Sequence, residues 1–225
     1  MTVHHVEDVP QASTGGLTRP VAVLVVIFTV AEGSLRLLLV RRSAPPFQDW
    51  WSLPGGLLAP DEGLDEAAVR KLREETGVQD VYLEQLYTFH DLDGQGGVAV
   101  AYFALVDSRR AHLARRQEWQ PAWFPVAGLP PLAFRNEVVV DYALRRLRAK
   151  LEYSNVAYSL LPDSFTMSQL QDVYEAILGR RLDKRNFRRR MLSLGIVVPT
   201  GRRALRGAHR PAQLYAFRER RPVFF

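Results

Sequence analysis

The amino-acid sequence predicts a mixed α/β (α+β) chain of two domains behind a short tail, and three observations lead there. Strand-like apolar runs flank one amphipathic helix in the first two thirds of the chain, the order of an α/β/α sandwich. Charge is unevenly divided: residues 152–225 hold 14 Lys+Arg against 6 Asp+Glu, net +8, while residues 1–151 hold 16 against 18, net −2. The C-terminal segment also reads as helix, tight turn, basic helix and basic hairpin. These place a tail over 1–19, a first domain over 20–152 and a second over 153–225.

The tail carries two acids and no lysine or arginine before Arg19, the reverse of a basic signal-peptide start. The longest apolar run, Val21 to Ala31, is far too short for a bilayer span, so no membrane partner is expected. With 47% hydrophobic and 24% charged residues the composition is that of an ordinary globular protein. No cysteine is present, which excludes disulfides and thiolate zinc sites and suits a cytoplasmic location.

Val21–Val30 and Leu35–Arg41 read as strands joined at Glu32-Gly33-Ser34, a hairpin signal. A loop rich in proline and aromatics, SAPPFQDWWSLPGG, leads to a helix on which Leu64, Ala67, Ala68 and Leu72 recur at helical spacing. Val81–His90 and Val98–Val106 form a second strand pair, and AWFPVAGLPPLAF a short strand and a proline-broken loop. Over Asn136–Tyr153, Val140, Leu144, Leu147 and Leu151 fit a helix with a basic outer side. On the first helix, positions 71, 74 and 75 stand at i, i+3 and i+4 and share a face. Three carboxylates there would suit a divalent cation with a base beside it. The residues are Lys71, Glu74 and Glu75, an ammonium and two carboxylates.

In the second domain Thr166 and Gln169 form a capping box for MSQLQDVYEAIL, closed by Gly179. Asp183 caps KRNFRRRMLSL, which stops at Gly195, and IVVPT and QLYAFR pair around GRRALRGAHRPA. This is the layout of a winged helix-turn-helix. Advancing about 100° per residue puts Phe187, Met191 and Leu194 on the core side and Arg185 and Arg189 opposite, with Asn186 and Arg188 on the flanks. Those four are best placed to meet a DNA groove, since arginine matches guanine edges and asparagine adenine edges. Lys184 and Arg190 lie nearer the core stripe and suit phosphates, as do Arg202, Arg203, Arg206 and Arg210 in the wing. Thr166 and Ser168, opening the first helix, complete the DNA-facing set. The competing view is a solvated basic helix on a protein-binding domain.

Gly56, Glu62, Arg70, Leu72, Glu74, Glu75, Gly77 and Val78 fill eight of the nine defined positions of the Nudix box, which this stretch therefore resembles. The ninth, a glutamate in the family and often its metal ligand and general base, is Lys71. FTMSQLQDVYEAILGRRLDKRNFRRRML with RPAQLYAF resembles the DNA-binding half of the NrtR family, Nudix-related transcriptional regulators of NAD biosynthesis. The resemblance implies a dimeric repressor of NAD synthesis or salvage genes that reads a palindromic operator and senses ADP-ribose or a related metabolite. It implies a ligand set of Arg41, Arg42, Gly56, Glu62, Arg70, Lys71, Glu74 and Glu75, and no required cofactor. LAFRNE stands where the family has an LAFDH-like segment. Lys71 is expected to replace the cation by an internal ion pair, leaving a binding pocket without catalysis or bound metal. The alternative is an active Nudix hydrolase of ADP-ribose pyrophosphatase type with a nucleic-acid-binding tail.

Overall fold

The computed structural model describes residues 20–77, 82–92, 94, 96–113, 120–204 and 211–225. Strand β1 (Val21–Ala31) is central. It turns through Glu32 and Gly33, both at positive φ, into antiparallel β2 (Ser34–Arg41). Short strands β3 (Trp51–Ser52) and β4 (Gly55–Leu57) follow, then β5 (Tyr82–His90), β6 (Val98–Leu105) and β7 (Gln120–Pro125). The order is β3-β2-β1-β6-β5, with β4 paired to β1 and β7 to β2. β1 and β6 run parallel from Val21↔Val98 to Phe28↔Leu105.

The near-continuous apolar run of β1, interrupted by Thr29, follows from both sheet faces being covered. Val23, Val25 and Ile27 pack with Ala67, Ala68 and Leu72 of helix α1 (Leu64–Thr76). Val26 and Phe28 point the other way, toward Val139, Val140 and Leu147 of helix α2 (Asn136–Tyr153). A mixed α/β sandwich results. The N-terminal half of β1 pairs with β4 and its C-terminal half with β2, so the sheet edge forks near Leu24. Gly55 stands at that fork, where a Cβ would come within 2.5 Å of the Val23 carbonyl.

The capping predictions for the C-terminal segment hold. Thr166 Oγ1 accepts from Gln169 N at 3.2 Å and Gln169 Oε1 from Thr166 N at 2.7 Å, opening α3 (Met167–Leu178). Asp183 Oδ1 accepts from Asn186 N at 2.8 Å and opens α4 (Lys184–Ser193). Strands β8 (Phe165–Thr166), β9 (Val197–Arg203) and β10 (Gln213–Phe217) form a sheet ordered β8-β10-β9. β8 escaped the sequence reading because two residues carry no periodicity. The chain then returns to the end of α2: Asn155 Nδ2 donates to the Glu219 and Arg221 carbonyls, and Phe225 N to the Tyr153 carbonyl. One apolar cluster extends from Val26 and Phe28 through Leu147 and Leu151 to Ile177, Met191 and Phe217, across the expected joint at residue 152. Among the described residues no helix is long and apolar enough to cross a membrane.

Candidate functional site

Helix α1 carries a chain of ion pairs. Arg70 forks onto Glu62, Nε to Oε1 at 2.6 Å and Nη2 to Oε2 at 2.8 Å, and Glu62 also accepts from Ala59 N at 3.1 Å. The Arg70 hydrogen bonds, then that of Ala59, hold the Glu62 carboxyl down to about 2. Lys71 Nζ lies 2.9 Å from Glu74 Oε2, and Arg70 Nη1 lies 3.4 Å from Glu74 Oε1. Partial burial raises the Glu74 carboxyl, but the hydrogen bonds and charges of Lys71 and Arg70 outweigh it and leave the group below its ordinary range. Glu75 is 2% exposed and belongs to the inner side of the helix. Gly56 lies directly over Lys71, whose Cε would be 3.3 Å from a Cβ there.

Gly56 is also where this helix meets a cleft of about 300 Å³ at the fork in the sheet. Arg42, Leu53, Leu92, Phe134 and Asn136 are among its walls. The Arg42 guanidinium sits 4.5 Å from the Phe134 ring centroid, its Nε donates to the Pro46 carbonyl at 2.9 Å, and burial lowers its pKa. Phe47 stands edge-on to Phe134 at 4.9 Å. Asn136, 1% exposed, accepts from Leu53 N at 2.9 Å and ties the start of α2 to the cleft wall. Phe134 and the next residue, Arg135, take φ of 55° and 51°, a left-handed pair of non-glycine residues that surrounding structure must hold in place.

The ligand set expected from sequence is thus split. Arg42 and Gly56 line the cleft; Glu62, Arg70, Lys71 and Glu74 form the ion-pair chain beside it; Arg41 pairs with Asp49 at 3.2 Å at the end of β2. Leu53, Leu92, Phe134 and Asn136 were missed as cleft residues. For Phe134 and Asn136 the signal was the irregular LAFRNE segment, which the structure places in the wall; Leu53 and Leu92 carried no local signal.

On the basic helix, Phe187 and Met191 are buried and Arg185, Arg189 and Asn186 are exposed, as the helical projection predicts; Lys184, which the projection sets nearer the core stripe, is exposed as well. Arg189 Nη2 donates to Asn186 Oδ1 at 3.0 Å, so two of the expected base-reading groups are oriented together. Arg188 is exposed but tethered: Nη2 donates to the Tyr215 hydroxyl at 2.7 Å, with the guanidinium 5.4 Å from that ring. Arg190 turns back to α2, its Nη2 3.3 Å from the Glu152 carbonyl. Ser168 is exposed in the first turn of α3 beside the capping Thr166, and Arg202 and Arg203 are exposed on β9. Arg206 and Arg210 lie outside the described residues.

Known proteins show the same two-part organisation. The model of the NrtR DNA-binding winged helix domain matches residues 157–217, and that of the NUDIX domain residues 18–143. The chain is 39% identical to the ADPR responsive transcriptional repressor NtrR of Acinetobacter baylyi, over 85% of this chain and 79% of that one. The crystal structure of Shewanella oneidensis NrtR complexed with a 27mer DNA superposes with a TM-score of 0.78 at 35% identity, covering 88% of this chain and 93% of that one. The NUDIX domain of the Shewanella protein complexed with ADP ribose gives a TM-score of 0.54 at 33% identity, covering 61% and 94%.

Proposed function

The chain belongs to the NrtR family of Nudix-related transcriptional regulators, and from that premise we propose that it represses genes of NAD biosynthesis or salvage in response to ADP-ribose or a related NAD metabolite. Residues 20–152 are the sensor and residues 153–225 the operator reader. A two-fold dimer sets two copies of α4 against a palindrome, since one winged helix spans too few base pairs for a specific repressor.

The observation that carries this reading is the Lys71–Glu74 pair at 2.9 Å, beside a formed cleft. Hydrolysis in a Nudix box needs carboxylates free to hold a divalent cation and a base to activate water. Here the donor set does not fit such an ion. Glu62 is engaged by Arg70 and Glu74 by Lys71 and Arg70, and among the described residues no group of three or more His, Cys, Asp or Glu is placed to share a metal. The cleft nonetheless offers apolar walls, the Arg42 and Phe134 stack and the Gly56 backbone, a surface suited to a nucleotide held without being cut. A sensor that destroyed its ligand would erase its own signal.

The ligand acts only through unequal affinity for DNA-compatible and incompatible states. Helix α2 supplies the path: it begins at the cleft with Asn136 and ends at the Glu152 carbonyl that receives Arg190 of α4. ADP-ribose is expected to shift α2, respace the two copies of α4 and weaken operator binding, and operator must then weaken ADP-ribose by the same factor.

The test pairs calorimetric titration of ADP-ribose, with and without saturating operator, with nucleotide analysis after incubation with Mg2+ or Mn2+. Binding without turnover, antagonised by operator, is the expected result. Turnover of about 1 s⁻¹ or more, ordinary for an enzyme, would instead establish the hydrolase with a nucleic-acid-binding tail. Equal ADP-ribose affinity with and without operator would remove the coupling.

A further inference from the structure

Behind the basic helix lies a second, partly open pocket of about 200 Å³, bordered by the end of α2, by α3 and by α4. Leu151, Leu178, Phe187 and Met191 give it apolar walls. Tyr174 lines it too, and that residue is anomalous. It is 4% exposed, its ring packs edge-on against Phe187 at 5.1 Å, and among the described residues its hydroxyl has no hydrogen-bond partner. A hydroxyl withdrawn from water without a partner is destabilising, and native interiors rarely keep one.

The surroundings indicate what would satisfy it. Burial pushes the Tyr174 phenol up to about 12, with the Arg190 charge pulling the other way, so at neutral pH the hydroxyl is a protonated donor; both side chains line the same cavity. Among the described residues the Arg190 guanidinium makes the single long contact with the Glu152 carbonyl, which leaves its other N–H groups to face an acceptor. Two acids, Glu152 and Asp183, and a second cation, Arg180, also border the cavity; Asp183 is committed to capping α4. With Arg190 the walls carry two guanidiniums against two carboxylates, a balance that suits one negative charge on the ligand and not several.

We infer that this cavity is a second ligand site, taking a small organic monocarboxylate whose carboxylate accepts from Tyr174 and Arg190 and whose apolar body lies among Leu151, Leu178, Phe187 and Met191. The space is below the roughly 300–1,000 Å³ of pockets for drug-sized molecules, so a dinucleotide fragment does not fit. Such a ligand touches α4 from its inner side and is independent of the cleft at Gly56.

Benzoate is a suitable probe. Saturation-transfer NMR and calorimetry on the full chain without DNA measure its binding, so the result does not depend on the proposed repressor function. Binding at millimolar concentration is expected, weakened about tenfold by loss of one charge-assisted hydrogen bond in Tyr174→Phe and similarly in Arg190→Gln. Ligand-free Tyr174→Phe should melt at the same temperature as wild type or higher, because it removes an unpartnered hydroxyl. No binding at millimolar benzoate, equal affinity for Tyr174→Phe, or a lower melting temperature of ligand-free Tyr174→Phe would each overturn the assignment.

Discussion

Replacing Glu84 by glutamine should cost more stability than removing the lysine it pairs with. Lys150 is 3% exposed near the end of α2, and its Nζ lies 2.7 Å from Glu84 Oε2 on β5. Around the ammonium stand the rings of Phe224 at 5.1 Å, Tyr153 at 5.7 Å and Tyr82 at 5.8 Å. In Glu84→Gln that buried charge keeps the ring faces and an uncharged amide. Removing one partner of a buried pair costs roughly 3–5 kcal/mol. Ring faces return about 0.5–2 kcal/mol, and the Glu84 side chain is 30% exposed, which screens the pair further; we therefore expect a loss of about 2 kcal/mol. Lys150→Met removes the charge and leaves an unbranched side chain among the same rings. The carboxylate it strands is the more exposed partner and retains the Tyr82 hydroxyl as a donor, so this change should cost about 1 kcal/mol or less. Urea unfolding at neutral pH measures both as shifts in midpoint at constant m. Equal losses, or a larger loss for Lys150→Met, would refute the reasoning.

Further expectations concern the ion-pair chain and the basic helix. Glu62 titrates near 4.5 when unfolded and near 2 when folded, so its contribution to stability is present above about pH 4.5 and is lost as pH falls toward 2. Arg70→Ala should flatten the fall in melting temperature across that window; an unchanged pH profile would contradict the assignment. Lys71→Glu removes the ammonium and adds a carboxylate beside Glu74, and should create Mn2+ binding that calorimetry detects in the variant and not in the wild type. Arg185→Ala or Arg189→Ala should cost roughly 1–3 kcal/mol on operator DNA and relax specificity. Arg202→Ala should weaken operator and random DNA alike in the same gel-shift series. Equal losses on both DNAs for Arg189→Ala would remove it from base reading.

What was legible in the sequence was local. The Thr166/Gln169 box, the Asp183 cap and the Lys71–Glu74 pair are each settled within four residues, and all appear where spacing places them. The run in β1 announced burial on both faces because it lacks alternation. What stayed hidden depends on long-range approach. Phe134 and Asn136 reach the cleft only because Asn136 binds Leu53 N, 83 residues away in sequence. Adjacent side chains on α1 diverge by about 100°; Glu75, at i+7 from Ala68 and i+3 from Leu72, falls on the apolar stripe and is buried, while the Glu74 side chain is 35% exposed, so the face shared by 71, 74 and 75 divides between core and solvent. The helical projection points Arg190 toward phosphates, since nothing local foretells that the end of α2 stands beside it.

The apolar contacts that begin at Val26 in the large sheet pass through Leu147 and Leu151 and end at Phe217 in the small one as a single cluster. Such continuity predicts one cooperative unfolding transition for both ends, which calorimetry would resolve as a single peak. Close-packed interiors transmit strain, so a methylene lost beneath the basic helix registers at the other end as altered packing. Regulators strung on a loose hinge can drift in either half without consulting the other. Here the two ends are bound to a common mechanical fate, and change in one is tolerated only where the other still fits.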